Sequence, residues 1–354
     1  MKLYIRATGN ISPQKTFGTP AFLAEPVEYN SNRLPVVEPE YKTFIDVKLI
    51  RRMSRIIKMG VAAATECLKE AGVAVPDAIV TGTAYGCLED TGVFLSKMVE
   101  QNEELLAPTA FIQSTHNTVG AQIALMLHCN GYNNVFVHRN FSFENALFDG
   151  MMLLQEGVAT NVLVGGLDET TNASHAILSR FGLYRQKPVS NFDLYKERSK
   201  GTIAGEGAAF FLLTCEASPS DLAQLNGLTT FYKPKDLEET LNNIKAFLSE
   251  QSITTADVDL LITGRNGDLK NDAVYDELEK SIFKQIDSIN YKHLCGEYPT
   301  SASFALWLGV NLLRSQQMPA ILNFTKPSQK KIKRILIYNH SHNTHHSLLL
   351  ISAC

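Results

Sequence analysis

The sequence predicts an α/β fold built around a sheet buried on both faces. Short apolar runs of strand length alternate with amphipathic helical stretches, several of the runs end in glycine turns, and the same rhythm restarts after a polar stretch around Pro219. With 354 residues and 45% hydrophobic content, the chain can bury a large core as one domain or as two fused halves. The restart divides it into two similar halves, 1–218 and 219–354.

From Asp46 onward, Leu49, Met53, Ile56, Ile57 and Val61 recur at spacings of three and four. The pattern continues to Gly72 and predicts one long helix. Residues 78–80, running into Thr81-Gly82-Thr83, read as a short buried strand, and 91–104 as a helix. Val119, Ile123, Met126 and Leu127 mark a helix up to Asn130 that Gly131 stops. Strands follow at 134–138, 161–164 and 208–214, with a helix at 143–157. The second half gives strands at 228–232, 258–263, 335–338 and 348–352, and helices at 236–252, 272–285 and 299–314. The basic run Lys330, Lys331, Lys333 and Arg334 reads as a solvated approach to a strand.

Net charge is −3 with both signs interspersed, so no single-sign field draws in nucleic acid or a membrane surface. The six cysteines are scattered without a Cys-x-x-Cys pair, a pattern of reduced thiols that leads us to expect a cytoplasmic protein. No run reaches about 18 apolar residues, and the first twelve residues lack the apolar core of a signal peptide.

Several segments, in order, resemble the β-ketoacyl synthase family of the thiolase superfamily. They are Arg51-Arg52-Met53-Ser54 before an Ala-rich helix ending Glu70-Ala71-Gly72, Thr81-Gly-Thr-Ala-Tyr-Gly86, residues 117–123, Val164-Gly-Gly-Leu-Asp-Glu169 and Ala204-Gly-Glu-Gly-Ala208. In the second half the loop 264–272 and the stretch 292–303 continue the match. The resemblance implies a five-layered αβαβα architecture made of two similar halves.

It also implies three catalytic side chains, a Cys and two His, whose positions in this chain hold other residues. The nucleophilic Cys position, counted from Gly131 and from Gly157, falls on Asn140. An amide cannot form the thiolate that a helix N-terminus would favour. The first His position, anchored on Asp272, is Gly264. The second, five residues after the retained Lys292 in Lys292-His-Leu-Cys-Gly-Glu297, is Glu297. A lone carboxylate there would oppose a developing oxyanion by about 4 kcal/mol at 4 Å and an effective dielectric of 20. Where the family has a glycine-rich gating loop, this chain reads Asn339-His-Ser-His-Asn-Thr-His-His-Ser347, with His340, His342, His345 and His346 in place of the hinge glycines. Short His-rich tracts can bind metal, but no Cys or carboxylate accompanies this one and no metal is expected.

The reading that fits a retained scaffold with these replacements is a chain-length factor, the non-catalytic partner of an active ketosynthase in fatty acid, polyketide or polyene biosynthesis. Its short length and altered loop resemble the ketosynthase-like subunits of aryl polyene and flexirubin pathways. The resemblance implies as partners a catalytic ketosynthase in a heterodimer, or a second copy, and acyl carrier protein, with no cofactor. Phe111, Ile112 and His116 are the candidates for lining the acyl tunnel. Two alternatives remain: an acyltransferase with a relocated nucleophile at Ser114, Ser142 or Cys295, and a stand-alone homodimer that binds acyl groups or carrier protein.

Overall fold

The computed structural model describes residues 2–19, 22–196, 198–322 and 331–354; Lys330 of the basic run lies outside them. Ten strands carry the fold: β1 (Leu3–Ile11), β2 (Ala78–Gly82), β3 (Tyr132–Phe136), β4 (Asn161–Asp168), β5 (Gly207–Thr214), β6 (Ala223–Tyr232), β7 (Leu260–Thr263), β8 (Asp287–Asn290), β9 (Arg334–Ser341) and β10 (His345–Ser352). The first five run in the order β3-β2-β4-β5-β1 and the last five in the order β8-β7-β9-β10-β6, which is the same order counted within each set. In both sets the first and last strands pair antiparallel and the inner strands pair parallel. Leu3, Tyr4 and Ile5 of β1 pair with Leu225, Gln224 and Ala223 of β6, joining the two sets into one continuous sheet.

The main helices are α1 (Arg55–Ala71), α2 (Leu88–Glu100), α3 (Pro108–Gln113), α4 (Thr118–Leu127), α5 (Ser142–Gln155), α6 (Asn172–Arg180), α7 (Leu237–Glu250), α8 (Leu269–Lys280) and α9 (Ala302–Ser315). Because side chains alternate along a strand, each strand serves two cores. Val162, Val164, Phe211 and Leu213 from the first set, with Leu260, Ile262, Ile335 and Ile337 from the second, pack around α5 and α9. Between them in sequence, Leu163, Phe210 and Leu212 face α1 and α4, while Leu261, Leu336 and Tyr338 face α7 and α8. The layers are therefore helix, sheet, helix, sheet, helix, and the apolar runs in the sequence are continuous because each strand is covered on both sides.

The expected single helix from Asp46 is broken. One turn, Val47–Ile50, is followed by the exposed Arg51 and Arg52, and α1 starts only after Ser54, whose ψ of 173° is extended. The helix expected to stop at Gly131 ends earlier, with His128 in the left-handed region at φ 52°. Gly131 has another reason to be glycine: a Cβ there would lie 2.1 Å from the Asp77 carbonyl oxygen. Strand β1, helix α6 and strand β8 have no clear periodicity to announce them. The stretch expected as a loop, Asn339 to Ser347, is a hairpin in which β9 and β10 pair through Ser341 and His345, and His342 and Asn343 at the turn have φ of 51° and 52°.

Gly82 ends β2 against the start of α5, where a Cβ would meet the Ser142 carbonyl oxygen at 2.2 Å. That neighbour is backbone and cannot swing aside. Gly82→Ala is expected to cost about 1–3 kcal/mol, read as a lower denaturant midpoint at unchanged slope.

Candidate functional site

The end of β3 leads through a one-turn segment, Arg139–Phe141, into α5. Asn140 sits in this turn. Its Nδ2 lies 3.2 Å from His345 Nδ1, and its Oδ1 accepts from Ser341 Oγ at 3.0 Å, so the amide is held by both sides of the β9–β10 hairpin. From the opposite direction β7 ends at Thr263, and the following loop is shaped by Asp272, whose carboxylate accepts from the Asn266 and Gly267 amides.

Lys292 is buried and its Nζ reaches both carboxylate oxygens of Glu297, at 2.8 and 2.6 Å; Asn266 Nδ2 donates to the second of these at 2.7 Å. This pairing changes the electrostatics drawn from the sequence. The Lys292 ammonium neutralises the Glu297 charge at contact distance, so the repulsion of about 4 kcal/mol calculated for a lone carboxylate does not apply.

Gly264 has no room for a side chain. A Cβ would meet Asn339 Oδ1 at 2.1 Å and the Tyr275 hydroxyl at 2.7 Å, and Tyr291 holds Asn339 in place through a 3.2 Å hydrogen bond.

Asn140, Asn266, Glu297, His340, Tyr85 and Tyr184 line one cavity of about 90 Å³. The four histidines do not converge. His340 and His346 are cross-strand neighbours on one face of the hairpin, with ring centroids 5.3 Å apart, while His345 contacts Asn140 and His342 is at the turn. Among the described residues no group of three or more His, Cys, Asp or Glu is placed to hold a metal. His340 stacks on Tyr275, its Nδ1 accepts from the Asn343 amide, and its Nε2 is buried without a partner. Burial holds its imidazole well below the usual value, with His346 adding to the effect.

Phe111, Ile112 and His116 are not among the residues lining this cavity; they are exposed on α3 and just beyond it. Ser114 Oγ donates to the Phe111 carbonyl. Ser142 is buried and its Oγ accepts from the His138 amide. Cys295 is completely buried, its Sγ against the Gly296 carbonyl, and burial pushes its thiol well up. Sequence reasoning missed Tyr85, Tyr184, Asn266 and Asn339. Asn266 and Asn339 lay inside segments already singled out, whereas nothing in the polar stretch around Tyr184 marked it.

The fold matches solved ketosynthases along the whole chain. The ishigamide ketosynthase/chain length factor superposes with a TM-score of 0.80 at 16% identity, covering 100% of this chain and 99% of that one. The fold is a ketosynthase fold. A β-ketoacyl synthase from Burkholderia phymatum gives a TM-score of 0.81 at 12% identity with coverage of 100% and 99%. A ketosynthase in complex with its chain length factor from Xenorhabdus doucetiae gives 0.74 at 16%, with coverage of 100% and 98%. In sequence, residues 30–181 match the model for the β-ketoacyl synthase N-terminal domain. The chain is also similar to 3-oxoacyl-[acyl-carrier-protein] synthase 2 of Synechocystis sp., at 22% identity over 182 residues, 48% of this chain and 43% of that protein. It thus spans less than half the length of that curated relative. The resemblance to β-ketoacyl synthases read from the motifs holds, and with it the thiolase-like layering.

One turn of α5 beyond Asn140, Glu144 is buried, with one carboxylate oxygen accepting from Ser347 Oγ at 2.8 Å and the other without a partner. Burial pushes its carboxyl up to about 7, against the opposing pull of the Ser347 hydroxyl and Lys292. A carboxyl raised in the folded state favours folding at low pH and loses that advantage as pH rises through about 7. Glu144→Gln, neutral at every pH, is therefore expected to gain about 1–3 kcal/mol on the wild type between about pH 5 and pH 8, measured by urea unfolding at each pH.

Proposed function

We propose that this chain is a non-catalytic ketosynthase-like subunit, a chain-length factor, that pairs with an active β-ketoacyl-acyl-carrier-protein synthase. The observation that carries the reading is the state of the position where the family's resemblance places the nucleophile: Asn140 is an amide tied to Ser341 and His345. The neighbouring positions agree with it. Gly264 is backed by Asn339 and Tyr275, leaving no space for an imidazole, and Glu297 is committed to Lys292. Two structural neighbours are described as a ketosynthase with a chain length factor, and a third as a type II acyl carrier protein in complex with its ketosynthase. These descriptions support a ketosynthase and an acyl carrier protein as the partners of this chain. The equal strand orders of the two sheet halves support a division of the chain near residues 218 and 219.

A relocated nucleophile is disfavoured by the three candidates themselves: none lines the cavity, and Ser142 and Cys295 are buried. The expected result on incubation with acyl thioesters is an unchanged intact mass. A stoichiometric acyl adduct on Ser114, Ser142 or Cys295 would overturn the proposal in favour of an acyltransferase.

The pairing surface is the edge of the sheet at β3. Phe136 O accepts from the Thr83 amide on the β2 side, and because alternate residues point opposite ways, the Val135 amide faces the open edge, where Asn134 Oδ1 takes it at 2.9 Å. A partner strand would replace that local bond. Phe111, Ile112 and His116 lie exposed in the segment preceding β3, and we assign them to the wall of a tunnel completed by the partner. Val135→Pro removes the edge donor and is expected to abolish co-purification with the ketosynthase. Retention of the complex would move the interface elsewhere.

A further inference from the structure

Two of the matched segments, Val164 to Glu169 and Ala204 to Ala208, meet at a place the Asn140 cavity does not use. Glu169 follows the last residue of β4 and Glu206 precedes the first residue of β5. Because these strands pair antiparallel with Asp168 opposite Gly207, the two carboxylates leave the sheet at the same end. The start of α1 brings Arg55 to them, and the first turn of α2 brings Glu89. With the segment from Ser31 to Glu38 they enclose a cavity of about 670 Å³, a size suited to a small molecule. It shares no lining residue with the Asn140 cavity.

The charges in this cavity do not cancel. Arg55 binds Glu206 through both terminal nitrogens and Glu38 through Nε, and the Val36 and Thr170 amides also donate to Glu206. Arg33 donates to Asn172 Oδ1 and to the Thr170 carbonyl and lies 3.9 Å from Glu206, so the second guanidinium is engaged too. Glu169 is left over. It is 6% exposed and lines the cavity, and one of its oxygens accepts from the Glu89 amide at 3.0 Å. Among the described residues its other oxygen has no hydrogen bond and the carboxylate no ion pair. Burial pushes this carboxyl up to about 7 against the pull of the Glu89 amide and Arg55, and Asp90 and Glu206 add to the rise. Withdrawing a carboxylate from water without a counter-ion is unfavourable, so the open oxygen calls for a partner.

We infer that this cavity is a recognition site for the ammonium group of an alkyl amine, with Glu169 as its anionic anchor. A primary ammonium offers three donors to a cavity that holds Glu38, Glu89, Glu169 and Glu206 against only Arg33 and Arg55. The space beside Pro35 and Val36 takes the alkyl stem. Among the described residues no group of three carboxylates, His or Cys is placed to hold a metal, so the cation is an organic one. It arrives on a free amine or on a lysine side chain of another protein.

Isothermal titration of the full chain tests this with diaminobutane, with Nα-acetyl-lysine amide as the side-chain probe and with butanediol as the uncharged control. Both amines are expected to bind at about pH 8, where Glu169 is ionised, and the diol is not. Affinity is expected to fall at least about tenfold by about pH 5.5, as Glu169 protonates among Asp90, Glu206, Glu89 and Glu38. Glu169→Gln keeps an acceptor for the Glu89 amide but not the charge, and is expected to weaken binding at least about tenfold. Tighter binding of diaminobutane assigns the site to a free amine, and tighter binding of the lysine amide assigns it to a protein partner. No binding of either amine, or equal binding of the diol or by Glu169→Gln, overturns the inference. Urea unfolding checks that Glu169→Gln is folded, and if it is not, the pH dependence of the wild type decides alone.

Discussion

The close approach of the inner helix layer to the sheets governs everything at the site. Gly166 of β4 lies where a Cβ would meet both Phe143 of α5 and Ser303 of α9, and Gly82 lies against the backbone that starts α5. Two glycines thus let α5 sink until its first turn reaches the ends of the strands. Asn140, just ahead of that turn, is brought to the β9–β10 hairpin and to the loop after β7 at once. Interiors pack at crystal-like density, so the geometry around Asn140 is set by the helix as a whole rather than by the amide's own hydrogen bonds.

Within that frame the groups around Glu297 and Gly264 satisfy one another. The Lys292 ammonium is tied to Glu297, Asn266 donates to the same carboxylate, and Asn339 fills the space beside Gly264. Each of these bonds satisfies a buried polar group whose isolation would cost several kcal/mol. Replacing one member at a time would strand its partner, so restoring a thiol at residue 140 alone would not restore the surroundings that a condensing site uses.

The layered fold was legible because both periods are strong: the runs 161–164, 208–214 and 258–263 are dominated by apolar residues, as strands covered on both faces must be, and α1 and α9 keep a regular apolar face. Strand β1 was hidden by Arg6, Asn10 and Gly9, whose places in the sheet make sense only from distant neighbours: Arg6 reaches Asp221, and Gly9 abuts the Ala63 carbonyl of α1. Of the site, Asn140, Gly264, Lys292 and Glu297 could be located by counting from motifs. That Glu297 is neutralised by Lys292 could not, because a five-residue spacing across a short turn does not reveal a contact. The glycine-free stretch from Asn339 to Ser347 was read as a stiffened loop, and pairing of His340 with His346 and of Ser341 with His345 makes it a hairpin instead.

The position of β1 in the sheet has a consequence for how the protein comes to be folded. Tyr4 pairs with Thr214 and with Gln224, so β1 has no partner strand until the chain has been made as far as β5 and β6. Until then an apolar strand waits unpaired while more than half the chain is made, and pairings this distant in sequence are slow to form. The central seam of the sheet thus stays open during part of synthesis, when chaperone binding or capture by another nascent chain would compete with correct closure.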